Sequence, residues 1–357
     1  LCRQAANCDA ALSVMMATES GWREAGIYNW RFEKPSFYLP MRILIVKTSS
    51  LGDVIHNLPV LSDIKRHFPD AQVDWCVEES FAAIPPLHAG LAGIVPVAIR
   101  RWRKALFSAA TWREIAAFRT AIRAKAYDIV IDTQGLVKSG LLARQALGPV
   151  AGYAADSARE PAAARFYDRH FSVSTTEHAV VRNRRLAAAA LNYAVDTVPD
   201  YGISVAPADF AWLPGKKYVV FLTATSRDDK LWPESHWLEL GRRLHVLGYL
   251  AILPAGSVIE RERAVRLAAE IPDAIAAPSL TIPQLAALLA GSRAAIGVDT
   301  GLTHLAVALK IPTVAIYTAT DPGLTGVLGA GFFRNLGGRS QIPAVESVLA
   351  ELNPVLN

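Results

Sequence analysis

The sequence predicts an α/β protein built from two doubly wound parallel-sheet domains. Short apolar runs of four or five residues, too short to be helices, recur along the chain and open into polar turns. Helical stretches separate these runs, and strands that alternate with helices build parallel sheets. The pattern stops at Ala206 to Gly215, which carries two prolines and a glycine, and then begins again. A chain of 357 residues is long enough for two domains that each bury a core.

The elements follow in order. Ile43 to Val46 is apolar throughout, as a parallel strand covered on both faces must be, and it ends in Lys47-Thr-Ser-Ser-Leu-Gly-Asp53. A helix is expected over Val54 to His67, a strand over Val73 to Val77, and a third strand within Tyr127 to Gly135, followed by a helix through Leu147. After the break, strands are expected at Tyr218 to Leu222, Leu250 to Leu253, Ala294 to Val298 and Thr313 to Tyr317. Ile129 to Leu147 and Ile296 to Leu309 share one order, a strand, then Asp-Thr, then Gly, then a helix, as two like domains would. The expected domains are 41–205 and 218–340, with a linker at 206–217 and a terminal helix at 341–357. Residues 1–40 are expected to lie outside the fold. Leu12 to Ala17 is too short for a signal segment, Glu19 follows it, and Met41 opens directly onto a strand.

Apolar residues at 52% and charged residues at 19% exclude a disordered chain. A mean hydropathy of +0.24 raises the question of a membrane span. The uncharged stretch Ala274 to Ser292 is interrupted by Pro278 and Pro283, and it carries Ser279, Thr281 and Gln284. It reads as a buried loop and helix, since a span needs about 20 mainly apolar residues. The net charge of +5 suits an anionic partner, whether a phosphorylated substrate, an anionic membrane surface or nucleic acid. The three cysteines have neither metal-ligand spacing nor an even framework, which makes a reducing cytoplasm the default.

Doubly wound sheets bind ligands at the carboxyl ends of their strands, near the switch in strand order. Each polar cluster of this chain falls at such an end, which points to an enzyme with a cleft. The loop Lys47 to Asp53 is neither a G-x-G-x-x-G nor a Walker A loop. It does place one carboxylate, Asp53, beside Gly52, where it is either a general base or the N-cap of the next helix. Thr223 to Lys230 offers hydroxyls and an ammonium to a phosphate, or else is a polar loop before the helix starting near Pro233. Val298-Asp-Thr-Gly-Leu-Thr-His304 runs from a strand into a helix starting at about Leu302, whose first N–H groups suit a diphosphate. Thr300 and Gly301 allow close backbone approach there, and His304 is either part of the site or a satisfied structural histidine. Arg100-Arg-Trp-Arg-Lys104 is either a solvated face or a site for an acidic acceptor or anionic lipid. The sequence contains no His/Cys metal motif and no Asp-x-Asp, so neither a metal nor a cofactor is expected.

Five stretches, taken together, point to a family. MRILIVKTSSLGDVIHNLP, PVAIRRWRKALFSA, DTQGLVKSG, TSRDDKLWPESHW, and VDTGLTHLA followed by TDPGL stand in order across nearly all of Met41 to Leu324. In them the chain resembles the lipopolysaccharide heptosyltransferases, most closely the type I enzymes, which use ADP-heptose. The resemblance implies a GT-B fold, two Rossmann-like domains facing each other across a central cleft, with acceptor on the N-terminal domain and nucleotide sugar on the C-terminal one. It implies an inverting transfer of L-glycero-D-manno-heptose to Kdo2-lipid A in inner-core synthesis, carried out in the cytoplasm, peripherally on the inner membrane and without nucleic acid.

By the same resemblance Asp53 is the base, and Thr225, Ser226, Lys230, Thr300 and Gly301 hold the diphosphate. Glu260 meets the ribose, Asp299 faces the donor sugar with His304 close by, and Lys47 lies near the reacting groups. Arg100, Arg101, Arg103 and Lys104 would meet the carboxylated acceptor. The chain departs from the family's usual His at Thr223, Thr at Ser226, Gly-Pro at Thr318-Ala319 and Met near Leu280; Ser226 keeps the hydroxyl. The alternatives are transfer to a later core heptose, a nucleotide-sugar epimerase on a related fold, and a non-catalytic binding module. The basic run opposes the epimerase, and Asp53 together with Lys230 opposes the binding module.

Overall fold

The computed structural model describes residues 40–195 and 198–356. Six strands form the first sheet: β1 (Arg42–Val46), β2 (Gln72–Glu78), β3 (Leu91–Val97), β4 (Ile129–Asp132), β5 (Val150–Tyr153) and β6 (Arg169–Phe171). Their spatial order is β3-β2-β1-β4-β5-β6, and β1 pairs in parallel with both β2 and β4. The second sheet holds β7 (Tyr218–Leu222), β8 (Leu250–Leu253), β9 (Ile275–Ala276), β10 (Ala294–Val298), β11 (Thr313–Tyr317) and β12 (Phe333–Gly337). Its order, β12-β11-β10-β7-β8-β9, is the same winding repeated, with every neighbouring pair parallel. Each sheet therefore reverses direction once, at β1/β4 and at β7/β10. A ligand crevice belongs at those two points.

The two doubly wound sheets expected from the sequence are both present. By compactness the chain forms two units. One holds the described residues up to Thr48 with Phe68–Ser80 and Ala92–Ser172. The other holds Ser49–His67, Phe81–Leu91 and the chain from Val173 onward. Leu44, Val46, Val130, Trp102, Phe118 and Ile122 pack into the core of the first unit. Val219, Phe221, Trp232, Trp237, Ile296 and Val298 pack into that of the second, with Trp232 Nε1 donating to Pro343 O at 2.9 Å. Residues of this size contribute about 1.5–3 kcal/mol each when fully buried.

Three local expectations are corrected. The helix over Val54 to His67 is two helices, Leu51–Ile55 and Leu58–His67. Pro59 has no N–H to give to the carbonyl of Ile55, so the ladder is cut and a new helix starts. The helix after β4 stops at Ala143, short of Leu147. Strands β3, β5, β6, β9 and β12 had no counterpart in the sequence reading. Between residues 274 and 292 lie β9, a loop and the Ile282–Ala290 helix, and among the described residues no helix is long and apolar enough to cross a membrane. The expectation for residues 1–40 concerns positions outside the described residues, residue 40 excepted.

Candidate active site

The switch point of the second sheet is organised around one carboxylate. Asp299 follows β10, and its Oδ2 accepts hydrogen bonds from Lys230 Nζ at 2.7 Å and from Thr320 Oγ1 at 2.7 Å. Its backbone oxygen accepts from Thr225 Oγ1 at 2.8 Å. Thr225 and Lys230 lie in the loop after β7 and Thr320 lies after β11, so three hydrogen bonds tie two loops to the end of β10. Thr318 Oγ1 adds a fourth tie, donating to Asp229 O at 2.7 Å. The Lys230–Asp299 pair is mostly buried, with side-chain exposures of 17% and 10%. A partly buried ammonium held this way is pre-positioned to meet further negative charge.

The Gly301–Ala308 helix begins immediately after Asp299. Thr300 heads it in extended conformation without a side-chain cap, leaving the positive end of the helix to a ligand. Thr303 Oγ1 donates to Val298 O at 2.7 Å, which fixes the entry angle. Glycine at 301 is required by packing, since a Cβ there would lie 2.6 Å from Leu51 Cγ. The Leu51–Ile55 helix is thereby laid directly against the start of the Gly301 helix.

That contact brings Asp53 and His56 to the same place. Asp53 is the third residue of its helix, not the N-cap; Ser50 holds the cap position. Asp53 Oδ2 accepts from Ser50 N–H at 2.7 Å and from Ser50 Oγ at 2.9 Å, so both of these bonds fall on one oxygen. His56 Nε2 lies 3.0 Å from His304 Nδ1, with the rings edge to face at 4.3 Å. His304 Nε2 lies 4.0 Å from Asp299 Oδ1. Burial holds His304 well below the usual imidazole range; Asp299 and Asp53 oppose the shift, while His178 and Lys230 add to it. His178 Nε2 donates to Gly326 O at 2.9 Å, and burial lowers that histidine as well.

A second polar cluster sits at the switch point of the first sheet. Lys47, 6% exposed, donates from Nζ to Thr133 O at 2.8 Å. Asp132 is fully buried at the end of β4 and accepts from Ser139 Oγ at 2.7 Å, Tyr167 Oη at 2.8 Å and Gln134 N–H at 2.8 Å. Burial raises its pKa, opposed by those hydrogen bonds and by the charge of Lys47.

The basic run forms the short helix Ile99–Trp102 and the residues after it. The guanidinium of Arg101 is already engaged, by Glu79 through Nε at 3.0 Å and Nη2 at 2.9 Å, and by Glu114 through Nη1 at 2.7 Å. Trp102 is buried and donates to the other oxygen of Glu114 at 2.8 Å. Arg100 donates its backbone N–H to Glu78 at 3.1 Å, and Arg100, Arg103 and Lys104 are all exposed. The sequence assigns Arg101 to a carboxylated acceptor; in the structure Glu79 and Glu114 engage its Nε, Nη2 and Nη1.

A family model for glycosyltransferase family 9, the heptosyltransferases, matches residues 115–348. The chain belongs to this family. Lipopolysaccharide heptosyltransferase 1 of Pseudomonas aeruginosa is 49% identical to it over 294 residues, 81% of this chain and 82% of that protein. The structure of the Escherichia coli heptosyltransferase WaaC with ADP matches with a TM-score of 0.82 at 44% identity, over 88% of this chain and 99% of that one. The same enzyme with ADP-2-deoxy-2-fluoro heptose matches with a TM-score of 0.78 at 43% identity, with the same coverage. This heptosyltransferase is therefore a glycosyltransferase of the GT-B class.

Of the residues singled out in its sequence, Asp53, Thr225, Lys230, Asp299, Thr300, Gly301 and His304 lie in the second unit around the end of β10. Ser226 is exposed in the same loop as Thr225. Glu260 caps its own helix, Oε2 accepting from Gly256 N–H at 2.8 Å and Ser257 N–H at 3.0 Å, so a ribose would share a carboxylate that already has a structural task. Lys47 and the basic run lie in the first unit. The sequence reading missed His56, Thr320 and Asp132. All three lie inside the stretches that match the family, His56 three residues after Asp53, but nothing in local sequence shows what they touch.

Proposed function

We propose that this heptosyltransferase transfers L-glycero-D-manno-heptose from ADP-heptose to a Kdo sugar of Kdo2-lipid A, with inversion at the anomeric carbon. Asp53 takes the proton of the acceptor hydroxyl as its oxygen attacks C1 of the heptose. The bond from C1 to the diphosphate oxygen breaks, and ADP leaves with the electron pair. Lys230, the hydroxyls of Thr225 and Ser226, and the N–H groups at Gly301 meet the charge that grows on the diphosphate. Asp299 and His304 face the donor sugar, Glu260 the ribose. The observation that carries this reading is the hub at Asp299, where Lys230, Thr225 and His304 converge beside the helix bearing Asp53.

Residues 41–205 are proposed to take the acceptor, with Lys47, Arg100, Arg103 and Lys104 facing its carboxylates, and 218–340 the nucleotide sugar. The enzyme would then work in the cytoplasm, against the inner membrane where its lipid acceptor lies. The test is mass analysis of products from ADP-heptose and Kdo2-lipid A. A single added heptose with release of ADP supports the assignment. Transfer only to an acceptor that already carries heptose moves the enzyme to a later core step. A changed sugar with no acceptor consumed makes it an epimerase.

A further inference from the structure

We propose that His56 is a positioning residue that fixes the tautomer of His304, so that His304 presents an N–H at Nε2 beside Asp299. The inference rests on the reading above, in which His304 borders the donor sugar. Between two neutral imidazoles 3.0 Å apart, one ring must donate and the other accept. If His304 donated from Nδ1, its Nε2 would be a bare lone pair facing Asp299 Oδ1 at 4.0 Å, which is repulsive. If His56 Nε2–H donates to His304 Nδ1, the proton of His304 stands at Nε2 and points at the carboxylate. The second arrangement makes the His56–His304 hydrogen bond and sets an N–H, rather than a lone pair, on the side of Asp299. Asp299 Oδ2 is already taken by Lys230 and Thr320, so Oδ1 is the oxygen left for this side.

The surrounding packing holds the rings in register. His56 and His304 are 4% and 5% exposed, a Cβ at Gly52 would stand 3.3 Å from His304 Cδ2, and His178 meets the far side of His56 edge-on at 5.7 Å. His178 already has its own proton placed, since Nδ1 accepts from Val180 N–H at 3.2 Å and Nε2 donates to Gly326 O. The consequence is a hydrogen-bond donor fixed in direction before a sugar arrives. An unfixed imidazole would present a donor or an acceptor depending on its state. Partners that orient a metal-ligating histidine through its other nitrogen matter by about 10–100-fold where they have been removed, and the bond from His56 would orient His304 in the same way.

The test begins with the full-length wild-type protein, without substrate. Long-range ¹H–¹⁵N correlation of the histidine rings should show His304 protonated at Nε2 with an unprotonated Nδ1; a proton at Nδ1 overturns the proposal. His56→Leu should then lower kcat by about tenfold or more with little change in donor KM. His56→Gln, whose amide still donates, should recover most of that loss and keep the wild-type His304 signature. Equal turnover in the Leu variant and the wild type would also overturn it. Because the ring spectrum is recorded without substrate, it stands if the acceptor or reaction proves different; wild-type turnover tests that separately. If the Leu variant does not fold, the wild-type spectrum still decides.

Discussion

Asp53 has two claims on its carboxylate, and they can be separated. One oxygen ties down the start of its helix through Ser50, while the proposed chemistry needs a proton acceptor at the same side chain. Losing the base should cost about 10²–10⁴-fold in kcat, whereas losing a helix-end bond costs about 0.5–2 kcal/mol of stability. Asp53→Asn keeps an acceptor for Ser50 but is no base, and Asp53→Ala has neither. Both variants should lose turnover to that extent while binding ADP-heptose nearly as well as wild type, and only the Ala variant should melt lower. Near-normal turnover in Asp53→Asn would remove the base assignment. At this scale residue type and loop position were legible, and contacts were not. Asp53 and Lys230 stand out as charged groups at strand ends. The pairing of His56 with His304 joins positions far apart in sequence, and only the fold brings them together.

Elements act here through close approach. Gly301 leaves room for Leu51, and a Cβ at that position would press on the helix that carries Asp53. Gly301→Ala should therefore lower turnover by about tenfold or more through displacement of that helix, and overpacking of this kind costs about 1–3 kcal/mol. Thermal melting should fall by several degrees, and an unchanged Tm with unchanged kcat would show that Leu51 yields freely. The Ile99–Trp102 helix gives a different prediction. Arg101 is held by Glu79 and Glu114, whereas Arg103 and Lys104, with Arg100, are exposed cations placed to meet acceptor carboxylates. Arg103→Ala combined with Lys104→Ala should raise the acceptor KM several-fold and leave the donor KM in place. Equal movement of both constants, or of neither, in a side-by-side titration would assign these residues to solvation alone.

The whole molecule repeats one winding, and the sequence showed its centre better than its edges. β1, β4, β7 and β10 flank the two switch points and, apart from exposed Arg42 at the start of β1 and Asp132 at the end of β4, read as buried apolar runs. β3 alternates exposed and covered residues, but its exposed positions hold Ala92, Ile94 and Pro96, so the sequence shows no apolar–polar alternation, and β9 is only two residues long. The placement of polar side chains in these folded units also shapes acid stability. His88 Nδ1 accepts from Gly90 N–H at 2.9 Å and Nε2 lies 2.9 Å from Ser62 Oγ, an arrangement that requires the neutral ring with its proton on Nε2. Burial pushes its pKa from 6.5 to about 4. The unfolded chain thus binds a proton below 6.5 that the folded one refuses, and stability falls as pH drops from about 6.5 to about 4, then levels. His304 and His178 carry the same sign, while Asp132 and Glu78, raised by burial, work in the opposite direction at the acid end. Comparing His88→Asn with the wild type cancels those shared contributions. Across that window the wild type should lose on the order of 1–3 kcal/mol more than the variant, read from melting or denaturant curves at each pH. Parallel curves would show that His88 takes up its proton in the folded protein as readily as in the unfolded one, and that the Gly90 contact does not hold it neutral.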